Sequence, residues 1–312
     1  MRCLPSENLM TYSPCPSFRA PLLRKFTMEG FSFGGIFGSS RLSKLNEINL
    51  TWVSPDTVTS FLKGASSECS ATVSTISTPG ELWTRAPGRY MGRAKVTSQL
   101  KALSVIQMHE DYDEPLSDVL DYLTLPNAEK LVFIDDTRLK FPVESLLSMF
   151  ARSELSLIKL SHLELSGYHV WDHNLLKILA RLPSLAFFAF KDAFLLDEKP
   201  HALTARFFQG IISADVMPKL TQLELISHSG AVPMDDLLSF IESRRPSLEG
   251  DDPSMRLLPL KQVRIGISSP EACASLMNRL SGLCSGGLLA EVSEPWDTYR
   301  SCRNTAGLPS SF

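Results

Sequence analysis

The 312-residue chain has no apolar run approaching the ~20 residues that cross a bilayer. Its strongest apolar stretch, Leu185 to Phe190, stops at Lys191 and Asp192 and suits a buried strand. The opening MRCLPSENLMTYSPCPSF has Arg2 but no apolar centre, and Pro5, Pro14 and Pro16 interrupt it, so a secretory leader is not expected. None of the six cysteines (Cys3, Cys15, Cys69, Cys273, Cys284 and Cys302) forms a C-x-x-C pair, and no zinc site is signalled. They are scattered over a long chain, unlike a small disulfide scaffold, and are expected to be reduced thiols in a cytoplasmic or nuclear protein. Charge of one sign is also lacking. The formal net charge is -3, which gives no overall footprint for nucleic acid. With 44% hydrophobic and 21% charged residues, the chain can bury a sizeable core, and disorder is not expected to dominate.

What the chain does contain is a recurring short pattern: apolar, two variable residues, apolar, one variable, apolar. It starts at Leu23, Leu45, Leu100, Ala128, Leu160, Leu185, Leu220 and Leu260. The alternation in its second half is a strand signal, because period two puts both apolar residues on one face. Leu125-Pro126, Leu182-Pro183, Met217-Pro218 and Leu258-Pro259 precede four of the units, where proline ends a helix and turns the chain towards the strand.

Helical periodicity fills the intervals. It is carried by Leu116, Val119, Leu120 and Leu123; by Leu146, Leu147 and Phe150; and by Leu175, Leu176, Ile178 and Leu179. Phe207, Phe208, Ile211 and Ile212 form another such face, as do Leu237, Leu238 and Ile241. Asp172 and Asp235 are expected to start helices, with their carboxylates at the positive dipole end. A strand plus a helix cannot bury its apolar face alone, so neighbours must stack. The expected fold is therefore α/β, a leucine-rich-repeat solenoid with a parallel sheet on the concave face and helices on the convex face. The 55-residue step from Leu45 to Leu100 is read as holding an inserted loop at about 64–94, rich in Ser and Thr and containing Pro79-Gly80 and Pro87-Gly88. The expected organisation is a poorly ordered segment 1–19, a repeat domain 20–290 and a tail 291–312.

The units Leu182-Pro183-Ser184-Leu185-Ala186-Phe187-Phe188-Ala189-Phe190, Met217 to Leu225 and Leu258 to Ile265 resemble the irregular leucine-rich repeats of fungal, mushroom-type F-box proteins. That resemblance covers roughly residues 20 to 290. It implies a substrate receptor of an SCF-type ubiquitin ligase, in which an F-box holds the ligase adaptor and the repeats hold the protein to be modified. The F-box itself is not evident. Leu4-Pro5-Ser6-Glu7 resembles its opening only, and Pro14 and Pro16 prevent the helix that should follow.

Local motifs add little chemistry. Gly30-Phe31-Ser32-Phe33-Gly34 has the form of a nucleophile elbow, but an elbow must open into a helix, and Gly35 to Ser40 start one poorly. A serine hydrolase built on Ser32 is a distant alternative. No Gly-Lys-Ser/Thr follows these glycines, so they make no P-loop. His169 and His173 have metal-compatible spacing, yet they span a strand-to-helix junction without a third ligand. His109 to Glu114 is an acidic cluster without calcium-loop spacing. Arg85, Arg89, Arg93 and Lys95 around Tyr90 read as surface charge.

The best candidate is a surface. Strand alternation sends the third, fifth and seventh positions of each unit to the concave side. The partner-binding residues expected there are Ile106, Val132, Ile134, Glu164, Phe187, Glu224, Ile226 and Arg264. Five of these are apolar where water is expected, as at a partner site, unless the inserted loop or a tail covers them. The chain is thus expected to be a monomeric protein-binding module, not an enzyme, with no cofactor, metal, nucleic acid or membrane. Its partner is a protein, with the SCF adaptor as one candidate. A stand-alone structural or sensor-type repeat protein is the alternative.

Overall fold

The computed structural model describes residues 24–29, 44–76, 95–107, 115–135, 139–153, 159–192, 202–227, 232–244, 257–284 and 287–293. The fold is α/β. Ten strands make one wholly parallel sheet whose neighbours follow chain order: β1 (Lys25–Glu29), β2 (Glu47–Val53), β3 (Ser70–Ile76), β5 (Ala102–Gln107), β7 (Lys130–Asp135), β8 (His162–Ser166), β9 (Phe187–Lys191), β10 (Gln222–Ser227), β11 (Gln262–Ile267) and β12 (Leu289–Ser293). The short strands β4 (Val96–Thr97) and β6 (Leu123–Thr124) pair separately. The helices among the described residues are α1 (Pro55–Lys63), α2 (Pro115–Tyr122), α3 (Val143–Arg152), α4 (Asp172–Leu179), α5 (Ala205–Ser213), α6 (Met234–Ser243) and α7 (Pro270–Cys284).

All eight units read from the sequence are strands of this sheet, and their fourth positions line up. Phe26 faces Ile48, Leu103 faces Leu131, Leu163 faces Phe188, and Leu223 faces Val263. Fourth- and sixth-position side chains share one core with the buried helix residues, including Leu120, Leu146, Leu175, Phe208 and Leu238. Ile212 stays exposed at the edge of that apolar face.

Two strands correct the expected boundaries. β3 lies inside the stretch read as a loop at 64–94; residues 77–94 lie outside the described residues. In β3 the inward places belong to Ala71 and Val73, and Glu68 stands where other units have leucine, so the strand carries too little leucine to match the pattern. β12 runs to Ser293, past the expected end at 290, with Ala290 and Val292 as its inward pair. The segments 1–19 and 294–312 lie outside the described residues.

Three of the four Leu-Pro or Met-Pro pairs act as turns. The carbonyls of Leu125, Leu182 and Met217 each accept from the N–H three residues on, with proline second in the turn, where its fixed φ fits. Each chain then enters its strand by donating to the preceding one: Lys101 N–H to Cys69, Ser161 to Glu129, Thr221 to Ala186, and Lys261 to Thr221. Helix starts are capped by Ser54, Thr204 and Ser269, whose hydroxyls accept from Thr57, Phe207 and Ala272 N–H. Asp172 and Asp235 sit in the first turns of α4 and α6 as expected, although the cap positions belong to Trp171 and Pro233.

Two arginines lock successive helices. Arg152, ending α3, donates to the Leu120 and Leu123 carbonyls at the end of α2. Arg244, following α6, donates to Val216 and Met217 beyond α5, at 2.6 and 3.1 Å. Leu120 lies in the last turn of α2, where a helix leaves its carbonyls without helical partners, and Leu123, Val216 and Met217 lie in the chain just beyond α2 and α5.

At the far ends of the strands, buried polar side chains complete the ladder. The Gln107 amide donates to Ile76 O at 3.0 Å and accepts from Ile76 N at 3.2 Å. Asp135 Oδ2 accepts from Leu139 N–H at 2.7 Å. Gly167 follows β8 at φ +79°, and a Cβ there would fall 1.7 Å from the Asp135 carbonyl oxygen. Gly167→Ala should therefore cost about 2 kcal/mol or more, from both backbone strain and collision. Thermal and denaturant unfolding check this; a change under about 0.5 kcal/mol would show that the turn rearranges freely.

Candidate functional site

The site is the second face of the sheet, opposite the shared core. Parallel register aligns its side chains in three rows, and burial grades sharply across them. The third-position row runs Lys25, Glu47, Ser70, Ala102, Lys130, His162, Phe187, Gln222, Gln262, Leu289, and every member is exposed or half-buried. The seventh-position row is largely closed from Ile106 to Gly266, with only Ile134 half-buried in that stretch.

This gradient corrects part of the expected surface. Ile106, Val132 and Ile226 were expected at an exposed apolar patch, yet they are 5%, 6% and 2% exposed. None belongs to the core shared with the helices, so they are buried on the second face itself. Ile226 fills the space over Gly266, where a Cβ would come within 3.1 Å of it. Ile134 and Phe187 are half-buried. Sequence reasoning placed these residues on the right face, but alternation alone does not report exposure along a strand. The exposed members it passed over are Lys130, Gln222 and Leu289, and His162 is half-buried beside them.

The expected polar residues come together as a chain of charges. Lys191 Nζ, almost fully buried, lies 2.7 Å from Glu164 Oε1 and 3.4 Å from Glu224 Oε1. The second approach is close enough for attraction but lacks hydrogen-bond geometry, leaving Glu224 Oε1 without a hydrogen-bond partner among the described residues. Glu224 Oε2 faces Arg264 at 3.9 Å, and Arg264 Nε donates to Glu291 Oε2 at 3.0 Å. On β9 the fifth position is Ala189, whose small side chain leaves room for Lys191 to reach both carboxylates. Fifth and seventh positions thus cooperate across five strands.

His162 stacks on Phe187 with ring centroids 4.0 Å apart and planes 7° apart. Burial, then the nearby Lys130 charge, pushes its pKa down to about 4, with Lys191 adding to this and Glu164 opposing it. Its Nε2 is buried without a hydrogen-bond partner among the described residues. At the other end of the sheet, Lys25 pairs with Glu47 at 2.7 Å. That bond, with help from Asn49, holds the Glu47 carboxyl below its usual value.

The remaining sequence candidates do not join this face. His169 packs edge-on against Trp171, and His173 stands exposed beside Asp172. Lys95 donates to the Asp121 carbonyl and lies over the Tyr122 ring. Among the described residues, no group of three or more His, Cys, Asp or Glu could hold a metal ion, and no helix is long and apolar enough to cross a membrane. The Ser32 motif, the His109–Glu114 cluster and Arg85, Arg89 and Arg93 lie outside the described residues. In comparisons with known proteins, the chain matches no protein-family model and no curated protein.

Two measurements test this electrostatic arrangement. Lys191→Met should cost about 3–5 kcal/mol in unfolding free energy, because it strands two largely buried carboxylates; a loss below about 1 kcal/mol would show that water reaches them. His162 binds a proton more weakly folded than unfolded, so the unfolded state gains protons first as pH falls from about 6.5 to about 4. Its contribution is fully present above that window and is lost on acidification through it. The melting-temperature advantage of wild type over His162→Phe should shrink between pH 7 and pH 4.5; a constant difference would contradict the buried neutral imidazole.

Proposed function

We propose that the chain is a leucine-rich-repeat solenoid, with its sheet on the concave side and helices on the convex side, that binds a protein partner through its second sheet face. The observation that carries this reading is the third-position row, exposed or half-buried on all ten strands while the seventh-position row of the same face is largely closed from Ile106 to Gly266. A row of side chains fixed by parallel register is a preorganised surface, and preorganisation lowers the entropic cost of association. Phe187, half-buried and braced by His162, supplies an aromatic anchor of the kind that dominates interfaces. The charges at Glu164, Lys191, Glu224 and Arg264 fix the shape of the face beside it.

The finer reading is that the partner is a substrate presented to an SCF-type ubiquitin ligase, in a cytoplasmic or nuclear setting. Its support is the resemblance of the Leu-Pro-initiated units to mushroom-type F-box repeats. The tagged chain, captured from its own cell extract, should retain specific proteins that Phe187→Asp loses while its melting temperature stays within a few degrees. Recovery of the ligase adaptor in the same capture supports the receptor reading. Specific partners without the adaptor indicate a stand-alone binding module, and an unchanged set with Phe187→Asp removes this face from the binding site.

A further inference from the structure

The N-terminal rim of the sheet, where each chain enters its strand, concentrates charge of one sign. Just before or at the start of the strands stand Lys44, Lys101, Lys130, Lys159, Lys219 and Lys261, all exposed. Arg24 and Lys25 add two more exposed cations at β1. The anions at the same positions are Glu47, Glu68 and Glu129, so eight cations meet three anions, a net of +5. The whole chain carries -3, which leaves -8 for everything else. The rim is therefore a basic edge on an acidic protein.

Its order comes from the fold. Third positions are in register across all ten strands, and the positions just before them are tied by the strand-to-strand N–H ladder. Further out, Lys159 donates to Asn127 Oδ1, and Asn127 donates to Gln99, which aligns β5, β7 and β8 along the same edge. Two rim cations are paired, Lys25 with Glu47 and Lys101 with Glu129. Lys44, Lys130, Lys159, Lys219 and Lys261 make no ion pair among the described residues.

Apolar groups interrupt the basic row. Phe187 is half-buried on it, and Leu258 and Leu289 are 46% and 70% exposed at its β11–β12 end. We infer that the partner segment seated here is an extended acidic polypeptide carrying a few apolar side chains. This rests on the protein-binding reading above and names the chemistry of that partner. At about 4.8 Å per strand the ten-strand rim runs about 43 Å along the sheet, the reach of about 13 extended residues. A nucleic acid fits less well. Its phosphates are denser than these lysines, the three interspersed glutamates repel them, and Leu258 and Leu289 offer no stacking surface.

The test uses the full chain and three fluorescent probes: a 13-residue peptide of Glu and Asp with two Leu and one Phe, its Gln/Asn counterpart, and a single-stranded oligonucleotide of equal charge. The acidic peptide should bind most tightly and weaken with salt. The double variant Lys219→Glu/Lys261→Glu should weaken it about tenfold with unchanged melting temperature. Equal binding of the Gln/Asn peptide, or no effect of the double variant, overturns the proposal. Tighter binding of the oligonucleotide reassigns the rim to nucleic acid and overturns it as well. The two levels separate in the capture experiment: natural partners lost with Phe187→Asp but kept by the lysine double variant leave the protein-binding reading standing and remove the acidic-segment inference.

Discussion

Everything in this molecule depends on parallel strands held in a common register. One unit of strand and helix exposes most of its apolar surface to water and gains little by folding alone. Placed against its neighbours, it buries Leu163 beside Phe188, and Phe188 beside Leu223, with α4, α5 and α6 closing the same core. Hydrophobic burial and the backbone ladder reward the same alignment. A slip by one residue would send each fourth and sixth position to the opposite face. Gln107, Asp135 and Gly167 make such slippage still harder, because their hydrogen bonds or close approaches exist in only one alignment.

The same register makes the second face chemically ordered. Residues distant in sequence become neighbours in rows: the third-position row is exposed or half-buried throughout, and the seventh-position row is largely closed between Ile106 and Gly266. The closed row keeps Lys191 out of water and holds it with two carboxylates, and the room for it comes from Ala189 on its own strand. The open row presents an aromatic pair and basic side chains. Under the proposed protein-binding role, specificity lies in the order of side chains along the rows.

Much of this architecture was legible in the sequence because leucine at the first position, apolar residues at the fourth and sixth, and Leu-Pro before the strand form a long, periodic signal. The signal fails where the interior shrinks. β3 fills its inward places with Ala71 and Val73, and β12 uses Ala290 and Val292, so neither strand carries the leucine mark. The candidate face was legible in its sidedness: Glu164, Glu224 and Arg264 were placed where they meet. Lys191, which joins the first two, was assigned to the same face without its partners being foreseen. Exposure was not legible. Ile106 and Ile226 sit on the expected face yet are covered, while Lys130, earlier along its strand, stays exposed. A pattern of period two says which side a residue takes, not how deep it lies there.

The direction of the cross-links has a consequence for how the molecule is made. Arg152 reaches to Leu120 and Leu123, Arg244 to Val216 and Met217, Gln107 to Ile76 and Lys191 to Glu164. In each case the later residue grips one already synthesised. Because these contacts run between neighbouring units, a chain leaving the ribosome amino end first can pack each unit on the one before it, with Lys191 completing its pairing once Glu224 follows.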